Sequence, residues 1–175
     1  MKEMEERIYG MFPKALCYME EENAFWDAYA KWTDAGNRLV EARREAYATC
    51  LKLVSRKSDN EYKEDGDIEV KVNAAKNAFD AATLEYEAAR QKLLSVPKDV
   101  LKDKVGLAKA NAYLAESEYF DYESVVSIAK ISNILGNNED ALQSFNNVSA
   151  MRDAAKLELE RRKERCKALG FLGEG

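Results

Sequence analysis

Histidine is absent from this chain of 175 residues. Histidine is the commonest metal ligand in proteins and the usual general acid or base near neutral pH. Its absence excludes Ser-His and Cys-His nucleophile pairs, histidine-type zinc sites and the Glu-x-x-His pattern of di-iron bundles. The carboxylates also form no inward-facing pair suited to acid–base work. We therefore predict a protein that is not an enzyme and that takes no cofactor, metal or small-molecule substrate.

Turn-forming residues are scarce, since the chain has only eight glycines and two prolines. Hydrophobic residues make up 46% of the sequence and charged residues 34%, which is too apolar for disorder and too poor in turns for an all-β fold. Three widely spaced cysteines, Cys17, Cys50 and Cys166, indicate reduced thiols. The acidic N-terminal segment lacks a signal-peptide core, and no apolar run approaches a membrane span. We expect a helical, cytoplasmic protein.

The net charge of −5 is spread evenly along the chain, which argues against nucleic-acid binding. One local basic cluster stands out near the C-terminus. It comprises Arg161, Arg162, Lys163, Arg165 and Lys167. Cations at a helix C-terminus complement the helix dipole, so a stabilised helix end is the simpler interpretation. Contact with an anionic partner is the alternative interpretation of the same cluster.

Apolar residues recur with a helical period over most of the sequence. Between Ile68 and Leu93 the spacing alternates between four and three residues, which is the 3.5-residue repeat of coiled coils. The spacing and the joints predict helices over 13–57, 68–95, 98–135 and 139–169, with an N-terminal arm or short helix over 1–12, a polar linker over 58–67 and a short tail over 170–175. The predicted fold is all-α: an elongated up-down-up-down bundle of about four long helices with coiled-coil-like packing.

The joints between the predicted helices carry recognisable start and stop signals. Pro13 suits a first helical turn, and Pro97 must interrupt a helix because proline has no N–H to donate. Gly136 and Gly170 suit helix ends. The acidic stretch 61–69 has the glycine of a calcium-binding loop, but it places a lysine among the ligands and lacks the final glutamate, so a solvated linker is favoured.

Aromatic side chains concentrate on the first long predicted helix, which has two apolar stripes. The candidate protein interface comprises Phe25, Trp26, Tyr29, Trp32, Leu39 and, on the third long predicted helix, Phe120. Core packing is the alternative for the aromatic cluster, and contact with the first helix is the alternative for Phe120. A second apolar stripe on the 98–135 helix, which includes Val125 and Ile128, indicates that this helix has neighbours on two sides.

The predicted helices differ in length, so at least one of them overhangs, bends or docks onto another chain. These features favour a non-enzymatic protein-binding bundle that acts as an assembly, adaptor or inhibitor component and that self-associates as a homo-oligomer. A peripheral membrane-binding or membrane-shaping bundle is the alternative, disfavoured by the slightly acidic charge. An enzyme that uses carboxylates or tyrosines in a bundle cavity is the least favoured interpretation.

Overall fold

A computed structural model of the chain describes residues 2–55, 62–136 and 139–173. Over these ranges the chain is helical and contains no strand, which confirms the all-α class. The elements are α1 (Lys2–Met11), a 3-10 helix (Pro13–Leu16), α2 (Met19–Ser55), α3 (Tyr62–Leu94), α4 (Lys98–Gly136) and α5 (Glu139–Gly173). The four long helices pack as two pairs, α2 with α3 and α4 with α5. The chain forms two compact units.

One unit, Tyr18–Val96, consists of the α2–α3 pair. The two helices are antiparallel, because Lys31 pairs with Glu85 whereas Glu45, further along α2, pairs with Lys71, earlier in α3. Small and apolar residues line the buried side of both helices. They include Ala28, Ala35 and Leu39 on α2 and Ala82, Ala89 and Leu93 on α3. Burial of these stripes, rather than intrinsic helix propensity, holds such long helices together.

The other unit, Met1–Cys17 with Pro97–Gly175, contains α1, the 3-10 helix and the α4–α5 pair. The 3-10 helix packs against the first turns of α4. The Lys14 backbone N–H donates to Asp103 Oδ2 at 3.0 Å, and Lys104 Nζ donates to the Ala15 carbonyl at 2.7 Å. Between α4 and α5, the buried residues are mostly small or aliphatic. They include Ala108, Ala115 and Val126 on α4 and Leu159, Ala168 and Leu169 on α5.

Several helix boundaries differ from those that the sequence predicts. Pro13 does begin a helix, but it is a four-residue 3-10 helix, and α2 starts only at Met19. The interruption lies at Cys17, which is extended, and at Tyr18, whose φ of 55° is incompatible with a continuing helix. At two other boundaries the helices extend past glycines. α3 begins at Tyr62 and runs through Gly66, and α5 runs through Gly170 to Gly173.

These extensions have a simple physical reason. A single glycine weakens a helix by about 1 kcal/mol but does not by itself end it. A Cβ atom added at Gly66 or Gly170 would meet nothing within 4 Å, so neither residue marks a close approach of the backbone. Positions 58–61 of the predicted 58–67 linker lie outside the described residues, and positions 62–67 belong to α3 rather than to a linker. Positions 174–175 of the predicted tail also lie outside the described residues. Among the helices described, none has a segment long and apolar enough to cross a membrane.

Candidate interaction surface on α4

The aromatic residues of α2, predicted as an interface, form a ring cluster with α3. Trp32 stacks on Tyr86 with centroids 4.9 Å apart and planes 12° apart, and it also stacks on Phe79 at 6.2 Å. Phe25 is completely buried and lies 5.6 Å from the Tyr86 ring. Tyr29 lies 5.9 Å from the same ring. The cluster therefore supplies packing between α2 and α3, which is the alternative that the sequence left open.

Trp26 and Leu39 are the two remaining interface candidates on α2. Trp26 donates its indole N–H to Glu22 Oε1 at 3.2 Å, and Glu22 is itself buried. Leu39, the remaining interface candidate on α2, is also buried. Phe25 and Leu39 are thus covered within the chain itself, so they offer no free surface to a partner in this structure.

Phe120, the interface candidate on α4, is on the surface at 59% exposure. It belongs to a larger set of apolar side chains between positions 113 and 134 of this helix, each between 46% and 74% exposed. These are Tyr113, Phe120, Val125, Ile128, Ile131 and Ile134. We call this set the outer face of α4. At 3.6 residues per turn it lies opposite the buried stripe that includes Ala115 and Val126.

Small exposed serines fill the spaces between the large side chains of the outer face. Ser124 Oγ donates to the Phe120 carbonyl at 3.0 Å, and Ser127 Oγ donates to the Glu123 carbonyl at 2.9 Å. Each hydroxyl proton is therefore satisfied by the backbone of its own helix. Such serines can be covered by a partner without leaving a donor unpaired, so they do not oppose burial of the outer face.

Charge is nearly absent from the distal half of the outer face. From 124 to 136 the only charged residue is Lys130, in a chain in which 34% of residues are charged. The preceding turns are acidic. They carry Glu116, Glu118, Asp121 and Glu123. Glu123 accepts the Tyr119 hydroxyl at 2.6 Å, and this hydrogen bond raises the pKa of Tyr119 above its usual value. The outer face therefore has an acidic end and an apolar end.

The basic cluster near the C-terminus of α5 is largely paired with acidic groups and backbone. Arg162 Nε donates to Glu158 Oε1 at 2.8 Å, and a second guanidinium nitrogen of Arg162 donates to the Asn111 carbonyl of α4 at 3.2 Å. Lys163 Nζ donates to Glu116 Oε1, also on α4, at 2.6 Å. The Arg162 hydrogen bond holds the pKa of Glu158 below its usual value. The Arg162 and Lys163 bonds to Asn111 and Glu116 join α5 to α4, a role that the sequence did not predict for this cluster.

No alternative chemical site stands out in the described part of the chain. No group of three or more Cys, Asp or Glu side chains there is placed to hold a metal ion. Cys17 and Cys50 are exposed free thiols, and Cys166 is half-buried and also free. We therefore take the outer face of α4 as the candidate functional site.

The sequence pointed to only part of this surface. Phe120 was a candidate, and Val125 and Ile128 belonged to the second apolar stripe, but Tyr113, Ile131 and Ile134 were not singled out. The signal that could have found them is the near absence of charge after Glu123 combined with the helical spacing of the isoleucines. Neither a protein-family model, nor a curated protein, nor a solved structure is significantly similar to this chain.

Proposed function

We propose that this protein is a non-enzymatic assembly, adaptor or inhibitor component that binds another protein through the outer face of α4. The observation that carries the proposal is the outer face itself. Five of its six members are large branched or aromatic side chains that stand at least 58% exposed on one side of one helix. Contiguous apolar patches of a few hundred Å² on a protein surface mark interaction sites, whereas scattered apolar residues need no explanation.

The shape of the outer face suits a helical partner. Its members recur at helical spacing along about six turns of α4, so they form a stripe rather than a pocket. A partner that lays an apolar helix along such a stripe meets side chains at successive turns. Aromatic residues such as Phe120 and Tyr113 are the residue types that contribute most when an interface buries them.

The charges around the stripe favour protein over a membrane surface. Helices that lie on anionic membranes carry lysine and arginine beside their apolar side. Here Lys130 is the single basic residue between 110 and 136. The basic cluster of α5 is engaged by carboxylates, with Arg162 held by Glu158 and Lys163 held by Glu116. The free thiols fit the reducing, cytoplasmic setting that we propose for this interaction.

The test compares the full-length wild-type chain with the double variant Ile128→Asp/Ile131→Asp. The matched control is Val70→Asp/Leu84→Asp, which places the same charges at exposed apolar positions of α3. Each protein is used as bait in a lysate of its native source and, separately, is sedimented with anionic vesicles. We expect at least one protein to be retained by the wild type and by the control but not by the α4 variant. A tagged second copy of this chain, added to the lysate, counts as such a protein.

Two results would overturn this proposal. One is that all three baits retain the same proteins, or that none of the baits retains any protein. The other is wild-type binding to vesicles that the α4 variant abolishes, which would make the outer face a lipid-binding surface. All three chains should unfold at similar temperatures, because the substituted side chains are exposed and make little packing contribution.

A further inference from the structure

A seven-residue repeat runs along the exposed side of α4. Successive spacings of four and three residues link one set of surface positions: Tyr113, Ser117, Phe120, Ser124, Ser127, Ile131 and Ile134. An alternation of four and three is the 3.5-residue period with which two helices pack along a shared seam. The helix α4 therefore has an inner seam, which is buried, and a second seam of the same period that is open to solvent.

We propose that the occupant of this outer seam is α4 of a second copy of the chain, packed antiparallel. This inference rests on the proposed function and specifies its partner. We place the two helices so that each seam residue of one copy lies across from a seam residue of the other, and we call each such pair a layer. The two-fold axis then passes between Val125 and Val126. Phe120 of one copy then lies across from Ile131 of the other, and Ser124 lies across from Ser127.

The side chains of opposing layers are complementary in size in this register. The central layers pair two serines, whose small side chains allow the helix backbones to approach each other closely. The layers on either side pair Phe120 with Ile131, and the next layers pair Ser117 with Ile134. The central layers therefore pair two small side chains, the layers next to them pair two large side chains, and the end layers pair a small side chain with a large one. The serine layers thus let the backbones approach at the axis, and the larger side chains pack on either side of them.

The charges beside the seam select the antiparallel orientation. Glu116, Glu123 and Lys130 are seven residues apart, so they form one line along the same flank of α4. In an antiparallel pair related by a two-fold axis, the same flanks of the two helices meet, and Lys130 of one copy approaches Glu123 of the other. In a parallel in-register pair the unlike flanks meet instead, so Lys130 of one copy would not reach Glu123 of the other and this attraction would be lost.

The opposite flank is mixed: Asp121 lies seven residues before Ile128 on the same line, and Val125 and Ile128 make the part beside the axis apolar. Val125 of one copy lies close to Ile128 of the other, because their positions are nearly symmetric about the axis. Both side chains are exposed in the single chain. An antiparallel pair thus covers five of the six members of the outer face and leaves Tyr113 near the end of the contact.

The area of the outer face is sufficient for a dimer. A large exposed apolar side chain contributes on the order of 100 Å² when covered, so the five that the pair covers contribute roughly 500 Å² per copy. Serines and flanking charges add to this figure. Two copies together therefore reach the lower limit of stable protein–protein interfaces, which is about 1,200 Å².

The first experiment measures the mass of the full-length protein in solution by light scattering across a tenfold concentration range. The wild type is expected to show twice the 19.8 kDa chain mass at the upper end of the concentration range. The variant Ile131→Asp is expected to raise the dissociation constant by at least tenfold, whereas the α3 control Leu84→Asp leaves it unchanged. A wild-type monomer at every concentration overturns the inference, and so does a dimer that Ile131→Asp does not weaken.

Cross-linking tests the orientation. The background carries Cys17→Ser, Cys50→Ser and Cys166→Ala and must show the same mass in solution as the wild type. Ser117→Cys and Ile134→Cys are introduced into this background in separate chains, which are oxidised separately and as a mixture. The antiparallel register expects a disulfide-linked dimer only in the mixture, because positions 117 and 134 face each other. Cross-linking of either chain with itself, as in a parallel pair, would overturn the inference, as would a mixture that forms no cross-link.

Charge exchange tests the flank contact. Lys130→Glu and Glu123→Lys are each expected to raise the dissociation constant about threefold, because each places like charges together at an exposed rim. The double variant should restore most of the loss. If the double variant is weaker than either single one, Glu123 and Lys130 do not meet across the axis and the register is wrong.

Failure of this inference and failure of the proposed function give different results. A monomeric wild type that still retains a foreign protein through the outer face would refute the antiparallel dimer and leave the proposed function standing. A monomeric wild type that retains nothing would refute both. A dimer that forms through another surface, with no α4-dependent partner, would also refute both.

Discussion

Phe12 lies directly against Gly106, so the phenyl ring occupies the space that a side chain at position 106 would need. A Cβ atom built on Gly106 would come within 2.8 Å of Phe12 Cδ1, closer than real Cβ atoms approach a neighbour. The glycine thus allows the segment before the 3-10 helix to pack on α4. Helix propensity and packing act in opposite directions at this position.

The variant Gly106→Ala tests this contact. Alanine favours a helix over glycine by about 1 kcal/mol, but the methyl group must displace the Phe12 ring. We expect a net loss of about 1 kcal/mol in the free energy of unfolding by urea, followed by circular dichroism. The control Gly170→Ala, which meets nothing within 4 Å, should instead gain roughly 0.5–1 kcal/mol.

A double-mutant cycle separates the two effects. In a Phe12→Ala background the ring is gone, so Gly106→Ala should become stabilising, like Gly170→Ala. If Gly106→Ala is equally destabilising with and without the Phe12 ring, the contact between these two residues does not explain the glycine.

The two tryptophans of α2 provide a matched prediction. Trp26 donates its indole N–H to Glu22, whereas the buried indole N–H of Trp32 has no acceptor in the described residues. Replacing Trp26 by phenylalanine therefore removes a donor from a buried carboxylate, which costs about 1–3 kcal/mol. Replacing Trp32 by phenylalanine removes an unsatisfied donor and keeps an aromatic ring on Tyr86, so its cost should be below about 1.5 kcal/mol.

The measurement is urea unfolding followed by far-ultraviolet circular dichroism, because tryptophan fluorescence changes with each substitution. The truncation Trp32→Ala serves as the reference and should cost about 3–5 kcal/mol, since it removes the stacking on Tyr86 and Phe79. Equal losses for Trp26→Phe and Trp32→Phe would contradict the difference in hydrogen bonding.

The ion pair between Lys14 and Asp99 predicts a pH dependence. A hydrogen bond from the Lys14 ammonium group holds the pKa of Asp99 below its usual value of 3.8 and raises the pKa of Lys14. A depressed carboxyl pKa stabilises the folded state above the unfolded pKa, and this contribution is lost as the pH falls through the lower, folded value. The raised lysine pKa acts at the alkaline end, where its contribution is lost as the pH rises past 10.5.

Carbon-detected NMR titration of the Asp99 carboxyl group measures this directly. The midpoint is expected below 3.8 in the wild-type chain and closer to 3.8 in Lys14→Met. An unchanged midpoint in Lys14→Met would show that the ammonium group does not govern the titration of Asp99. Both side chains are more than half exposed, so added salt should reduce the shift.

The sequence predicted the class of the fold and the bounds of α4 to within one residue, because the period of the apolar residues is a local property. The start of α2 was wrong by six residues, since the sequence at Cys17 and Tyr18 has no glycine or proline to signal a break. There the backbone is fixed by tertiary contacts. The Lys14 amide is held by Asp103, and the Ala15 carbonyl is held by Lys104.

The candidate site was harder to predict than the fold. A helix with two apolar stripes can be central or open on one side, and periodicity does not distinguish these cases. On α2 the aromatic stripes are occupied by Phe79 and Tyr86 of α3. On α4 the second stripe is open around Phe120 and Ile128. Only the positions of neighbouring helices show whether a second apolar stripe is covered or open to solvent.

Arg162 and Arg161 are adjacent in the basic cluster but differ in what they contact. Arg162 is about one-third exposed and binds both Glu158 and the Asn111 carbonyl of α4, whereas Arg161 is 78% exposed and lies 3.7 Å from Glu158. We therefore expect Arg162→Ala to lower the free energy of unfolding by about 1–2 kcal/mol, since it breaks two charge-assisted hydrogen bonds. Arg161→Ala should stay within about 0.5 kcal/mol of the wild type, as exposed ion pairs usually do. Urea unfolding of both variants checks the difference, and equal effects would mean that the cluster does not join α5 to α4 through Arg162.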